Sequence, residues 1–378
     1  MEVGRLGTRH DFYVVEHKNR GIWGIFREKC VTLQPETDGA DYIYGFPRRR
    51  GGSWLSSFLL YIEVQRCFDA HSFSPTHHSI FLKQFFKLYL FMSYNLLKGK
   101  RGIIFGALND KSIAWKVAER AVEEGATITL SNAPVAVRMG DIEILGKKLN
   151  AEVIPADATS YEDLENVFRR SVEVLGGQID FVLHSIGMSP NVRKKRTYDD
   201  IDYDMMAKTY DISAVSFHKM LQAAKKNNAI ADGGSVVALS YIAAQRTLFG
   251  YNDMADAKAL LESIARSFGY IYGREHGVRV NTISQSPTMT TAGSGIKGMT
   301  SLFDFANRMS PLGNASAEDC ADYCIVMFSD LTRKVTMQNL YHDGGFSSMG
   351  MSYRAMDQYQ KSLNEDDFLN PDGTVKYG

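Results

Sequence analysis

From Lys98 onward the chain alternates short apolar runs with longer stretches of helical period. The runs are 102–106 (GIIFG), 127–131 (TITLS), 151–155 (AEVIP), 180–184 (DFVLH), 235–239 (SVVAL), 278–283 (VRVNTI) and 339–343 (NLYHD). The centres of GIIFG, DFVLH and SVVAL are continuously apolar rather than alternating, as expected of strands covered on both faces of a parallel sheet. The intervening helical stretches lie near 113–124, 138–149, 161–174, 201–227, 252–273 and 317–329. The pattern predicts an α/β fold: a Rossmann-like, doubly wound, seven-stranded parallel sheet with right-handed crossovers. Residues 92–350 form the predicted domain, and 351–378 a C-terminal tail.

The first 91 residues lack a clean period and differ in composition, holding five of the nine histidines and two of the three tryptophans. They carry the runs RRRGG and HSFSPTHH and end in SIFLKQFFKLYLFM, which Lys83 and Lys87 make too charged to span a bilayer. Three readings stand: a leader translated from a start placed too early, a basic interfacial helix at 79–91, or an accessory domain. The first is preferred, because Met92 opens MSYNLLKGKRGIIFG, a few residues before the first strand of a self-sufficient α/β pattern.

Charge and cysteine content narrow the partners. Basic and acidic residues balance at 43 each, so no global field draws the chain to nucleic acid or an anionic membrane. Four cysteines make no disulfide framework, and Cys320 with Cys324 lacks the further ligands of a zinc site, so no metal is expected. No targeting segment is recognisable, and a reducing, cytoplasmic setting is expected.

The turn after the first strand holds Gly106 and Ser112 but no GxGxxG. A helix opening at Ser112 would present free N–H groups and a positive dipole end to a pyrophosphate. Ser112 is then an N-cap, a phosphate ligand or both; an ordinary strand–loop–helix junction reads the same. Asn132, at the end of the second strand, can bond a ribose 2′-hydroxyl but cannot neutralise a 2′-phosphate, and Arg138 is six residues on. NADH is favoured over NADPH, with a plain turn role for Asn132 as the alternative. Asp157 could hold an adenine amino group or cap the helix near Tyr161. Ser185, Ile186 and Gly187 follow another strand, within which His184 reads as core.

Several motifs in order then resemble one family, the enoyl-acyl carrier protein reductases of bacterial type II fatty-acid synthesis, a divergent branch of the short-chain dehydrogenases. They are Gly106-x5-Ser112-Ile113-Ala114, HSIG at 184–187, SY at 240–241, Tyr251-x6-Lys258 and DGGF at 343–346. The resemblance implies that Tyr251 is the active-site tyrosine, Tyr241 its companion, and Lys258 the lysine on the nicotinamide ribose. It adds Ile113, Ala158 and Ala292 to the cofactor residues and Ser189 to the substrate residues, beside Tyr241 and Tyr251. Pro287, Thr288 and Thr290 match the turn over the nicotinamide amide and phosphates; Ser286 stands where the family often has glycine. The implied reaction is NADH-dependent reduction of a trans-2-enoyl thioester on acyl carrier protein, by a homotetramer.

Ordinary short-chain dehydrogenases have lysine four residues after the tyrosine, where this chain has Ala255. By helix geometry, offsets of four and seven residues differ by only about 60° around the axis but by roughly 4.5 Å along it, so both lysines would face the cofactor. That shift suits an enoyl thioester, in which hydride goes to the β-carbon while charge gathers on an oxygen two carbons away. The alternatives are a 3-oxoacyl or other carbonyl reductase, disfavoured by Ala255, and a non-catalytic dinucleotide-binding module, which would need neither Tyr251 nor Lys258. Residues 285–312 read as a mobile substrate lid.

Overall fold

The computed structural model describes residues 93–290, 299–363, 370, 371 and 374, together with four strands in the first 33 residues. The chain divides into two units, Met1–Met92 and Ser93–Gly378. In the first unit, β1 (Glu2–Arg5), β2 (Tyr13–Glu16), β3 (Trp23–Arg27) and β4 (Cys30–Leu33) form an antiparallel sheet in that order. The sequence reading placed no strands there. The helix suggested at 79–91 lies outside the described residues.

The second unit is built on seven strands: β5 (Arg101–Phe105), β6 (Thr127–Asn132), β7 (Glu152–Pro155), β8 (Ile179–His184), β9 (Ile230–Ser240), β10 (Arg279–Gln285) and β11 (Asn339–His342). Their order is β11-β10-β9-β8-β5-β6-β7, and every pairing is parallel. This is the expected doubly wound sheet. One face is covered by the helices Tyr161–Leu175, Ser216–Lys226 and Asp253–His276, through Phe168, Phe217 and Phe268 among others. The other is covered by Ile113–Glu123, Ile142–Leu149 and Ala317–Phe328, with Phe181 stacked on Phe328 at 4.6 Å between ring centroids. Burial of both faces accounts for the unbroken apolar runs.

The chain leaves β5 toward β6 on one side and returns to β8 on the other, so a crevice opens beyond their carboxyl ends. Such a switch point is where sheets of this kind bind ligands.

Several elements depart from their sequence-predicted bounds. The stretch read as one helix at 201–227 is two helices, Tyr203–Tyr210 and Ser216–Lys226, joined by a π-helical turn at Asp211–Val215. The helix read at 138–149 is likewise split, into Pro134–Met139 and Ile142–Leu149. A Cβ on Gly140 would come within 2.6 Å of the Leu108 side chain, so the chain passes that loop closely. β9 begins at Ile230, earlier than its apolar run, because Gly233 at φ 76° belongs to an irregular strand rather than a turn. Part of the expected lid loop is a helix, Met299–Met309.

Candidate active site

Gly106 leaves β5 with φ 97°, in the left-handed region that favours glycine. A Cβ there would lie 2.0 Å from the Ser185 carbonyl oxygen, so the loops after β5 and β8 meet only because the side chain is absent. The first turn of the helix Ile113–Glu123 follows. Ser112 occupies the N-cap position with extended backbone, but its hydroxyl makes no cap hydrogen bond. It turns back instead, accepting from the Leu108 N–H at 3.1 Å and donating to the Asn109 carbonyl at 2.6 Å. The expected side-chain cap is therefore corrected: Ser112 folds the loop before the helix and leaves the helix start uncapped.

Asn132 is similarly engaged. Its amide nitrogen donates to the Ala107 carbonyl and its amide oxygen accepts from the Ala133 N–H, each at 2.8 Å. The side chain ties the end of β6 to the loop after β5. Asp157 is exposed, and one carboxylate oxygen accepts from the Thr159 N–H and hydroxyl at 2.9 and 2.8 Å. It does not cap the next helix, because Ser160 does so, accepting from the Asp163 N–H. Ala158 lies half-buried beside it.

Opposite these residues, Tyr241 follows β9 and Tyr251 precedes the helix Asp253–His276. Their ring centroids are 5.0 Å apart at 53°. Neither hydroxyl bonds a described residue. Burial raises both phenols well above their ordinary range, and Tyr241 is raised further by Tyr251 and Asp343, so both stay protonated donors. Lys258 is buried, and its ammonium donates to the Leu239 carbonyl at 2.7 Å. Burial pulls it down to about 8, against the opposing pull of Glu262.

Glu262, one turn beyond Lys258, accepts from the Ser240 hydroxyl at 2.6 Å and from the Gln245 amide at 3.0 Å. Lys258 and Glu262 thus grip Leu239 and Ser240, the two residues before Tyr241. Glu262 was missed from sequence, although its i+4 spacing from Lys258 was a usable signal.

Tyr251 is not on the helix. The helix starts at Asp253, and Asn252 between them has φ 48° and ψ −135°. The argument from helix rise therefore does not position Tyr251: the backbone bend at Asn252 sets its relation to Lys258.

His184 is a core residue, as expected. Its Nε2 lies 2.9 Å from the Ser216 hydroxyl, which gives its own proton to the Ile212 carbonyl, so the imidazole is the donor. Burial, then the Lys258 charge, lowers it to about 3.

β10 leads into the segment read as the lid. Ser286 has no left-handed backbone angle, and its hydroxyl accepts from the Ala315 N–H at 3.0 Å. A side chain in place of glycine is therefore accommodated. Thr288 donates back to the Ser286 carbonyl at 3.0 Å, and the Thr290 N–H donates to the Thr288 carbonyl at 2.8 Å. Ala292 lies outside the described residues.

A cavity of about 250 Å³ gathers most of these groups. Ile113, Ser185, Ile186, Gly187, Ser189, Tyr241, Tyr251, Lys258, Pro287, Thr288 and Thr290 line it. Gly106, Ser112, Asn132, Asp157 and Ala158 do not; they lie at and beyond the carboxyl ends of β5, β6 and β7. Ser189 reaches the cavity, and its hydroxyl donates to Asp253 at 2.7 Å and accepts from the Val192 N–H at 3.0 Å. Met188, Val192, Leu239 and Met254 supply apolar lining that the sequence reading did not name, and Leu302, from the segment read as the lid, joins them. The π-helical turn presents Ser213, whose hydroxyl bonds both the N–H and the carbonyl of Met188. No group of residues suited to a metal ion occurs among the described residues, and none of their helices is long and apolar enough to cross a membrane.

The model of a family described as enoyl-(acyl carrier protein) reductase matches residues 106–347. Enoyl-[acyl-carrier-protein] reductase [NADH] 1 of Rhizobium meliloti is 34% identical over 273 residues, 72% of this chain and 98% of that protein. The crystal structure of the FabI–NADH complex from Alistipes finegoldii is 69% identical, with a TM-score of 0.70, and the match covers 75% of this chain and all of that one. The Bacillus cereus enoyl-acyl carrier protein reductase, solved with NADP+ and indole naphthyridinone, is 30% identical with a TM-score of 0.64, over 69% of this chain and all of that one.

Proposed function

The chain belongs to the enoyl-(acyl carrier protein) reductase family, and from that membership we propose that it reduces the trans-2 double bond of enoyl thioesters on acyl carrier protein, using NADH. This is the reductive step that completes a round of fatty-acid elongation. The observation that carries the reading is the grouping of Tyr241, Tyr251 and Lys258 in one apolar-lined cavity at the switch point of the sheet.

The residues present fit a dinucleotide. Gly106 lets the loop after β5 approach the loop after β8, the uncapped helix start after Ser112 offers backbone N–H groups to phosphates, and Asp157, exposed, has a second carboxylate oxygen that could accept from an adenine amino group. Ile113, Ala158, Ser185, Ile186, Gly187, Pro287, Thr288, Thr290 and Ala292 complete that surface. When bound, NADH supplies the hydride that the β-carbon of the substrate takes up.

The protein's own part is to stabilise the charge that develops. Tyr251, held protonated by burial, donates to the thioester oxygen as it becomes an enolate oxygen. Lys258 holds the ribose hydroxyls, and its charge favours the oxyanion nearby. Tyr241 packs on Tyr251 and walls the acyl pocket, while Met188, Met254 and Leu302 exclude water from it. A proton drawn ultimately from solvent and delivered to the α-carbon then balances the hydride and completes the saturated thioester.

We place the enzyme in the cytoplasm as a homotetramer. Supporting the latter, the helix Asp253–His276 exposes the apolar side chains Leu260, Tyr270 and Ile271, which a second copy could cover. Light scattering that returned a stable monomer would reject it.

The deciding assay compares crotonyl with acetoacetyl thioesters, with NADH and with NADPH, followed by nicotinamide absorbance. Crotonyl thioester with NADH should be turned over fastest. Faster reduction of the acetoacetyl thioester would make the chain a carbonyl reductase, and no turnover of either would leave a dinucleotide-binding module.

A further inference from the structure

Because Tyr251 precedes the helix that carries Lys258, helix periodicity cannot fix the relation between the two. Two adjacent residues lie between Tyr251 and the body of that helix. Asn252, at φ 48° and ψ −135°, adopts a strained conformation that a non-glycine residue keeps only where its surroundings over-determine it. Its side-chain amide donates to the Arg196 carbonyl. Asp253, the first helical residue, is fully buried.

Asp253 has no cationic partner among the described residues. One carboxylate oxygen accepts from the Ser189 hydroxyl at 2.7 Å, and the other accepts from the Asn191 amide at 2.9 Å and the Thr209 hydroxyl at 2.7 Å. These donors come from the cavity wall, the short helix Pro190–Arg193 and the helix Tyr203–Tyr210. The positive end of a 24-residue helix adds to them. A buried carboxylate balanced only by neutral donors is a costly way to join three segments, since it desolvates a charge with no opposite charge to offset it. What the carboxylate adds is direction, because three donors converge on two oxygens and fix the position of the Asp253 backbone. Asn252 and Tyr251 are the next residues back along the chain.

We infer that Asp253 is a positioning residue for the reaction: by holding Asn252 in its strained conformation it aims the Tyr251 hydroxyl, and through Ser189 it ties the acyl-pocket wall to the same point. This rests on the reading of Tyr251 as the donor to the thioester oxygen.

The test is a double-mutant cycle on the full chain, with crotonyl thioester and NADH as probes. Asp253→Asn keeps the side-chain shape but places an N–H group where a donor must be met. It should lower kcat by about tenfold or more while the Kd for NADH stays within about twofold. In a Tyr251→Phe background the same substitution should lower kcat by less than about twofold, because there is no hydroxyl left to aim. Equal losses in both backgrounds would show a general structural role and overturn the inference while leaving the proposed function intact. Full activity of Tyr251→Phe alone would overturn both. If Asp253→Asn does not fold, Ser189→Ala and Thr209→Val each remove one donor. Each should give a smaller loss, about two- to fivefold, that again vanishes with Phe at 251; a loss that persists there counts against the inference.

Discussion

The two ends of the candidate site use side chains in opposite ways. At the carboxyl ends of β5 and β6, the hydroxyl of Ser112 and both amide groups of Asn132 bond the loops on which they sit. Around Tyr251, neither tyrosine hydroxyl bonds a described residue, and the Lys258 ammonium uses one of its three donors. A dinucleotide's phosphates can be held by backbone N–H groups, so side chains there serve best by shaping the backbone. A developing oxyanion needs a donor aimed at one atom, and a side chain can act as that donor only where internal partners leave it free. Polar residues at strand ends therefore need to be sorted by what already bonds them before they are assigned to a ligand.

The largest expected effect tests the free end. Tyr251→Phe should lower kcat for crotonyl thioester by about 10²–10³-fold, the usual consequence of losing one oxyanion donor, with NADH affinity nearly unchanged. Lys258→Ala should damage both. Lys258→Arg should recover part of the binding, because the charge returns in a bulkier, planar form. If Tyr251→Phe had no effect, the contrast between the two ends would lose its chemical meaning.

The sheet, its strand positions and most of the cavity lining were legible because they depend on unbroken apolar runs and on motifs short enough to read. The elements that went astray share a cause. Nothing in YNDMADAK marks Asn252 as the bend that keeps Tyr251 off the helix, since asparagine tolerates positive φ but does not require it. The π-helical turn at Asp211–Val215 sits in a helical pattern whose period it interrupts by a single residue. Ser112 and Asn132 had the right types for ligands, but their bonding partners, Leu108, Asn109, Ala107 and Ala133, are set by loop conformation. Side-chain identity was readable from the sequence, whereas its hydrogen-bond partners were not.

A smaller effect separates cofactor binding from folding at Lys258. Its folded value of about 8 lies below the ordinary 10.5, so an ammonium serving to hold the ribose would be lost as pH rises through about 8. NADH affinity should fall above that pH, by up to about tenfold per unit, and Lys258→Arg should remove the dependence. Stability should run the other way. Between about 8 and 10 the unfolded chain binds more protons at this residue, so its contribution to folding without cofactor rises with pH, on the order of 2 kcal/mol across the window. Titration calorimetry for NADH and denaturant melts across that range would check the two directions. A shared direction would place the titrating group elsewhere.

At the internally bonded end, Asn132→Ala removes two hydrogen bonds at a partly buried turn and should lower stability by about 1 kcal/mol. If the amide serves the loop, the KM for NADH should change by less than about threefold. A larger rise in KM than in thermal sensitivity would return Asn132 to the ribose. NADPH should remain the poorer cofactor in both forms, because a 2′-phosphate placed near Asn132 without a cation would cost about 1–3 kcal/mol. Kinetics with NADPH equal to those with NADH would show that Arg138, exposed on the next helix, reaches that phosphate.

The smallest expected effect is none. Every residue assigned to either end of the site has a number above 92, and the family match spans 106–347. A chain beginning at Met92 should therefore keep both the backbone-lined and the side-chain-lined ends, with specific activity and melting temperature equal to those of the full chain. The comparison separates the three readings of the first 91 residues. A redundant leader leaves both quantities unchanged. An interfacial helix at 79–91 leaves activity in solution unchanged but abolishes binding to anionic vesicles when removed. A working accessory domain shows itself in lost solubility or lost turnover. In that last case the change in KM for NADH against the change in KM for crotonyl thioester would tell which end of the site the leader supports.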